Sequence, residues 1–302
     1  MYHGCAVSGQ RKKGDSDLSI QKILGILLLL VGVIYGIVIL AVNIRDREVF
    51  RSESGRFSIL CILEGVVYFF ATLGISDFLL NTLVFRHLHL GDDKKLPGTL
   101  CAACLVPGAV IACFLLQADN PVELHTLIPC AAAITVGSVL GSRFVGNLEG
   151  KVIKKALGYA LIASMAVLII RIVLTQGTPG TLSGLYGGKL IFAVIFSFFW
   201  GAVNMLGVPM KPAGTAMFLL LGVSPLNTLT LVLVMCCIGP FGGGIPVLKR
   251  GNYQHRQVCA AVTAGVLGAV LGSVLALSLN ALMLNVILLA VMLVAVISIF
   301  KA

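Results

Sequence analysis

The chain has 302 residues, of which 58% are hydrophobic and 11% are charged, and its mean hydropathy is +1.04. This composition excludes an ordinary water-soluble domain and predicts a polytopic membrane protein with several apolar helices of about 20 residues each. A β-barrel is excluded because its strands alternate in polarity over roughly ten residues, and these runs do not. The formal net charge of +10 comes mainly from loop lysines and arginines. It therefore concerns membrane orientation and anionic lipid, and no nucleic acid partner is expected.

The beginning of the chain predicts a polar tail and one membrane helix. Residues 1–18 are polar and are expected to form a disordered tail. Residues 19–43 predict a transmembrane helix with an apolar core from Ile23 to Val42. A cleaved signal peptide is the alternative, but the apolar run is too long for one and no small-residue cleavage site follows it.

The second apolar block, Ser58 to Phe85, is interrupted by the sequence LGISD at Leu73 to Asp77. Gly74 loosens a helix there, and Ser76 or Asp77 can cap a helix that restarts. Three more helices are then predicted, at Gly98–Gln117, Leu124–Gly146 and Lys151–Leu174. A connector rich in glycine and threonine, Thr175 to Gly188, follows them.

The next apolar block is broken in its middle by Gly207, Pro209 and Pro212. A proline lacks a backbone donor and pushes the residue before it away from helical dihedrals. We therefore expect a helix to stop near Leu206 and to restart at Pro212, which suits the first turn of a helix. Three helices are predicted after this break, at Leu226–Val247, Val258–Leu279 and Ala281–Phe300.

The two halves of the chain repeat each other. Leu73-Gly74 in the first broken block corresponds to Leu206-Gly207 in the second, and VGSVLGS from Val136 corresponds to LGAVLGS from Leu267. Both of the latter stretches contain a G-x-x-x-G pair, which allows close helix packing. The sequence thus predicts two repeats, residues 58–174 and 187–300. Internal duplication with helices interrupted at matching positions is typical of secondary transporters with the site at the repeat interface.

The distribution of positive charge bears on topology. If each broken block is a re-entrant hairpin, each repeat crosses the membrane three times and the two repeats are inverted. Most lysines and arginines then collect on one face, although the basic tail lies on the other, whereas single crossings would divide the charges almost evenly. The positive-inside rule favours the hairpin. The predicted fold is all-α, with one extra N-terminal helix followed by two inverted repeats, each with a broken or re-entrant helix and three transmembrane helices.

Lys211 lies between two prolines inside the second broken block. A helix that restarts beside it would direct the free N–H groups of Ala213, Gly214 and Thr215, and the positive end of the helix dipole, toward the lysine ammonium. This arrangement predicts an anion-binding site. The alternatives are a lysine that snorkels to the membrane interface or one that forms a structural pair with Asp77.

Glu64 and Asp77 are the other ionisable residues well inside apolar segments, where a charge is costly and is a functional candidate. Each could take a coupling proton or sodium ion. Asp77 could equally pair with Lys211 or cap a helix, and Glu64 could be a buried acid bonded to a neighbouring helix. Ser76, Asn81 and Asn204 lie close to the breaks and are expected to complete the anion site, with helix–helix hydrogen bonding as the alternative.

The doubled order of these elements resembles the sulfite exporter TauE/SafE family, also called the toluene sulfonate uptake permease family. The resemblance covers Ser58 to Phe300. It is carried by Gly74 to Phe78, Pro97-Gly98-Thr99, Gly137 to Ser142, Leu206 to Gly214, Asn227-Thr228 and Gly268 to Ser273. The chain departs from the family in having a single glycine at the first break and Met210-Lys211 at the second. The resemblance implies export or uptake of small sulfur-containing anions in a bacterial inner membrane.

Together these features predict a secondary transporter of a small anion, such as sulfite or an organosulfonate, which works by alternating access. A passive anion channel of the same fold and a membrane-embedded enzyme or accessory subunit are the alternatives. The sequence has no hydrolase, zinc-protease or phosphate-loop motif, so no enzyme activity, cofactor or metal is predicted. The expected partners are the anion, the lipid bilayer and a coupling proton or sodium ion, with a second copy of the chain as a further candidate.

Overall fold

The computed structural model describes residues 3–91, 95–118, 122–144, 180–205 and 210–280, together with residues 283, 286, 287 and 290. The first half of the chain contains α1 (His3–Arg45), α2 (Arg47–Ser52), α3 (Phe57–Thr72), α4 (Asp77–His87), α5 (Leu96–Ala103), α6 (Leu105–Gln117) and α7 (Leu124–Phe144). The second half contains α8 (Gly187–Asn204), α9 (Lys211–Leu221), α10 (Pro225–Arg250), α11 (His255–Ala260) and α12 (Val266–Ser278). A π-helical turn, Ala261–Gly265, joins α11 to α12.

Six helical stretches among the described residues are long and apolar enough to cross a membrane. They are Leu18–Arg45, Leu96–Gln117, Leu124–Ser142, Gly187–Asn204, Pro225–Gly244 and His255–Ser278. The prediction of a polytopic helical membrane protein is therefore confirmed. The predicted helix Lys151–Leu174 lies outside the described residues, as does most of Ala281–Phe300.

The outer surface of the helix bundle is apolar, as expected for a surface that faces lipid. Large aliphatic side chains such as Ile37, Ile62, Ile191 and Leu267 are more than 60% exposed. Contiguous exposed apolar surface of this kind marks a membrane or partner interaction. By contrast, Leu96–Gln117 and Pro225–Gly244 are largely buried and form the centre of the bundle.

The first helix is longer than predicted. It begins at His3, within the stretch that was expected to be a disordered tail. The tail contains no proline, and Gln10, Arg11, Lys12 and Lys13 all have favourable helix propensity. A helix that is already formed by the apolar segment therefore continues into these residues without a strong stop signal.

The two G-x-x-x-G pairs make matching contacts across the repeats. A Cβ atom added at Gly137 of α7 would overlap the carbonyl group of Phe198 in α8, and one added at Gly268 of α12 would overlap that of Gly65 in α3. Gly65 precedes Leu73 by the same eight positions as Phe198 precedes Leu206. The second glycine of each pair behaves alike, because Gly141 meets Ala202 and Gly272 meets Phe69. Each small-residue helix thus packs on the broken helix of the other half.

A polar network ties α2 and the loop after it to the start of α11. The side chain of Arg256 donates to the carbonyl oxygens of Phe50, Arg51 and Gly55. Glu53 accepts the backbone N–H of Arg256 at 2.9 Å and lies 3.2 Å from Nδ1 of His255. Burial raises the pKa of Glu53, but the hydrogen bonds from His255 and Arg256 outweigh it, so that this pKa lies below its usual value.

Candidate anion site at the two helix breaks

The first break lies where the sequence predicts it. Helix α3 ends at Thr72, and Gly74 adopts a φ of +94°, which a residue with a side chain rarely adopts. Helix α4 begins at Asp77, and Ser76 caps it because its hydroxyl oxygen accepts the N–H of Leu79 at 3.4 Å. The predicted break, the serine cap and the acid in the first turn are all confirmed.

The second broken block also consists of two separate helices. Helix α8 ends at Asn204, and helix α9 begins at Lys211, one residue before the predicted restart. Pro212 is the second residue of α9, where its missing N–H costs no helical hydrogen bond. Met210 precedes the helix but gives no side-chain cap. Residues 206–209, which include the predicted end of the first half at Leu206, lie outside the described residues.

The structure brings the two breaks together through an ion pair. Nζ of Lys211 lies 2.7 Å from Oδ1 of Asp77. Lys211 is 5% exposed and Asp77 is 6% exposed, so neither side chain reaches the surface. Snorkelling of Lys211 is therefore excluded, whereas the alternative in which Lys211 pairs with Asp77 is confirmed. Removing either partner would leave an uncompensated charge in the interior, which is strongly unfavourable.

The electrostatics of the pair are asymmetric. Asp77 and Lys211 are each the first residue of their helix, where the helix dipole places a partial positive charge. The position therefore stabilises the Asp77 carboxylate but disfavours the Lys211 ammonium. The charges of the two side chains cancel, so the two helix ends leave the shared space with a positive potential that favours an anion.

A small cavity adjoins the ion pair. It has a volume of about 10 Å³, which is room for roughly one water molecule. Its lining includes four predicted site residues and three that were not predicted. These are Ser76, Asp77, Asn204 and Lys211, and then Phe78, Met210 and Cys236. Asn204 is 5% exposed, and it lines the cavity together with Lys211.

The predicted backbone donors of α9 differ from the expectation. The N–H of Gly214 donates to the carbonyl oxygen of Met210 at 3.0 Å, so it is used within the helix and the prediction for this group is wrong. A Cβ atom at Gly214 would overlap the indole ring of Trp200, which indicates a packing role for this glycine. Ala213 and Thr215 are buried in the same helix but do not line the cavity. The positive potential of the site therefore comes from the dipoles of the two helices, and this set of amides does not supply the predicted ligands.

Glu64 and Asn81 do not line the cavity but form a second polar cluster with Gln257. Nε2 of Gln257 donates to Oε1 of Glu64 at 2.9 Å, and Glu64 is fully buried. The Asn81 amide faces the Glu64 carboxyl group from α4. Asn81 therefore lies one helical turn beyond Asp77. At that position it is beside Glu64 and does not line the cavity. Gln257 gives no sequence signal, because its role depends on the packing of α11 against α3.

We also compared the chain with known proteins. No protein-family description matches it, and it has no significant similarity to a curated protein or to a solved structure. The geometry of the two breaks therefore carries the functional argument.

Proposed function

We propose that this protein is a secondary transporter that moves a small anion across the membrane by alternating access. The observation that carries the proposal is the buried Asp77–Lys211 pair, in which each partner begins one of two half-helices. Helix starts at membrane depth that point at a charged group are typical of transporter binding sites. The resemblance to the sulfite exporter TauE/SafE family extends the proposal to sulfur oxyanions and organosulfonates such as sulfite.

In this mechanism Asp77 serves as an internal counter-ion. With no substrate bound, its carboxylate neutralises Lys211 at a distance of 2.7 Å. An incoming anion replaces the carboxylate as the partner of Lys211, and the Asn204 amide, which lines the same cavity, donates a further hydrogen bond. Because Asp77 remains stabilised by its own helix dipole and by the Ser76 cap region, displacing it costs less than exposing an isolated charge.

Two inverted repeats give this site its two-sided access. The reciprocal packing of Gly137 on Phe198 and of Gly268 on Gly65 supports a two-fold relation between the halves. Each repeat then supplies one half-helix to the site, and rocking one repeat against the other opens the site to one side at a time. The cavity of about 10 Å³ is too small for a sulfur oxyanion, so binding the anion requires a conformational change, as alternating access does.

The proposal is tested by anion uptake into proteoliposomes. Lys211→Met keeps most of the side-chain volume but removes the positive charge, and we expect it to reduce uptake of labelled sulfite to the level of empty vesicles. Lys189→Met is the matched control, because Lys189 is an exposed lysine at the start of α8 and should retain wild-type uptake. Wild-type rates in Lys211→Met would contradict the proposal. Accumulation against a gradient that collapses with an ionophore separates a transporter from a passive channel.

A further inference from the structure

The Glu64 cluster is a buried carboxyl site with neutral partners. Glu64 is fully buried in α3, and no cation lies within ion-pair distance of it among the described residues. Its hydrogen-bonding neighbours are the amides of Gln257 and Asn81. An ionised carboxylate without a cationic partner is costly in the protein interior, and more so at membrane depth. The surroundings of Glu64 therefore favour the protonated acid.

The protonated form of Glu64 suits one of the two orientations of the Asn81 amide. With the amide oxygen toward the carboxyl group, Oδ1 of Asn81 lies 2.8 Å from Oε1 and 3.0 Å from Oε2 of Glu64 and accepts Nε2 of Gln257 at 3.3 Å. Two oxygen atoms at this separation are held together when one of them carries a proton. With a protonated Glu64, the acid donates to Asn81, and both hydrogen bonds from Gln257 are kept.

The ionised form of Glu64 requires the opposite amide orientation. When the Asn81 amide turns over, its nitrogen donates to the carboxylate at 2.8 and 3.0 Å. That nitrogen then faces the Gln257 nitrogen at 3.3 Å, and the bond between the two amides is lost. The two protonation states of Glu64 thus select two different hydrogen-bond patterns linking α3, α4 and α11.

From this geometry we propose that Glu64 is the binding site of the coupling proton, and that the Asn81 amide transmits its protonation to the anion site. The transport part of this inference rests on the proposed function. The proton and the anion bind cooperatively, because a negative charge that enters the nearby cavity makes ionisation of Glu64 less favourable. Linkage is reciprocal, so the bound anion also favours the bound proton, and a carrier that changes its access only when both are bound acts as a symporter.

The charges around Glu64 are consistent with this coupling. On α4 the charged residue nearby is Asp77. Asp77 and Asn81 are four residues apart and therefore lie on the same face of α4. On α3 the neighbouring titratable group is the buried Tyr68. On α11, Nδ1 of His255 lies 3.2 Å from Glu53, and the Arg256 guanidinium donates to the carbonyl oxygens of Phe50, Arg51 and Gly55. Cys259 is half-buried, and α12 carries no titratable residue.

Infrared difference spectroscopy of the protein in lipid vesicles tests the protonation of Glu64 without any anion. We expect the wild type at neutral pH to show a protonated-carboxyl band that Glu64→Gln abolishes and that Glu48→Gln, which changes an exposed acid of α2, leaves in place. Asn81→Ala is the second variant. It keeps the Glu64 carboxyl group but removes one of its hydrogen-bonding neighbours, so it should shift the same band. A wild-type spectrum at neutral pH without such a band overturns the inference.

Proton movement during sulfite uptake tests the coupling. Wild-type vesicles should take up protons with the anion, and Glu64→Gln should reduce the proton-to-anion ratio to background, whereas Glu48→Gln should keep the wild-type ratio. Unchanged proton movement in Glu64→Gln overturns the inference. If the wild type transports no anion while the carboxyl band is present, the proposed function and the coupling fail, but the proton site remains.

Discussion

The two helix breaks are built alike but differ in what stands at the restart. At the first break, a serine cap and an acid in the first turn satisfy the start of α4 from within its own segment. At the second break, α9 begins with Lys211, a cation at the positive end of its own helix, and Met210 provides no side-chain cap. The second half-helix is therefore electrostatically incomplete without an anionic partner. In the structure that partner is Asp77, and during the proposed transport we expect it to be the substrate.

The largest expected effect comes from separating the ion pair. Asp77→Leu or Lys211→Met alone leaves a buried charge without its partner and should destabilise the fold by about 3–5 kcal/mol. The double variant removes both charges and should recover most of that loss, because replacing a buried ion pair with apolar residues is often neutral or stabilising. Thermal unfolding in detergent measures the stability of the wild type, the single variants and the double variant. Additive losses in the double variant would show that the two residues do not depend on each other.

The next effect concerns the reciprocal packing of the repeats. Gly137→Ala and Gly268→Ala introduce a methyl group into contact with the carbonyls of Phe198 and Gly65, respectively. Each substitution should cost about 1–3 kcal/mol through overpacking, and the two losses should be similar in size. Gly188→Ala is the control, because an added Cβ atom at Gly188 meets nothing within 4 Å. Very different losses of stability at the two positions would contradict the equivalence of the two repeats.

A smaller effect tests whether the start of α4 at the first break is stabilised by its own serine cap. Ser76→Ala removes the side chain that accepts the N–H of Leu79 and should destabilise the fold by about 1 kcal/mol, the usual cost of losing an N-cap. Ser58→Ala, at an exposed position in the first turn of α3, should change stability much less. Chemical denaturation in mixed micelles can measure both variants. Equal stability of the two would mean that α4 does not rely on its cap.

The smallest expected effect is the pH dependence of stability that comes from Glu53, in the polar network that is separate from the two breaks. The pKa of Glu53 is lowered below its usual value of 4.5, so the stabilisation by the ionised carboxylate is complete above that value. It is lost as the pH falls below 4.5 through the lower pKa of the folded state. We expect the melting temperature to fall over this acidic range in the wild type and less steeply in Glu53→Gln. If the melting temperatures of the wild type and Glu53→Gln fell equally at acidic pH, this role of Glu53 would be contradicted.

Local signals in the sequence were sufficient to predict the breaks. Gly74, Ser76 and Pro212 act on the backbone within one or two residues, so their effects can be derived without knowing the fold. For Lys211, the sequence left pairing with Asp77 and snorkelling open, and the structure shows the pair because both breaks meet in the interior.

Other parts of the site depend on distant packing and could not be predicted. Cys236 and Gln257 are brought to Lys211 and Glu64 by the positions of α10 and α11, which no local pattern encodes. Asn81 was assigned to the anion site because it is near the break in sequence, but it lies one helical turn beyond Asp77 along α4, which places it beside Glu64. Gly214 was assigned as an amide donor to the anion. Its N–H instead donates within the helix, and its lack of a side chain makes room for the Trp200 ring.

The most direct test of the central claim is the stabilisation of the purified protein by sulfite in the wild type, Asp77→Asn and Lys211→Met. A ligand that binds the native state raises the melting temperature. If Asp77 competes with the substrate for Lys211, sulfite should raise the melting temperature of Asp77→Asn more than that of the wild type and should leave Lys211→Met unchanged. An equal or smaller shift in folded Asp77→Asn, or a wild-type shift in Lys211→Met, would contradict the account.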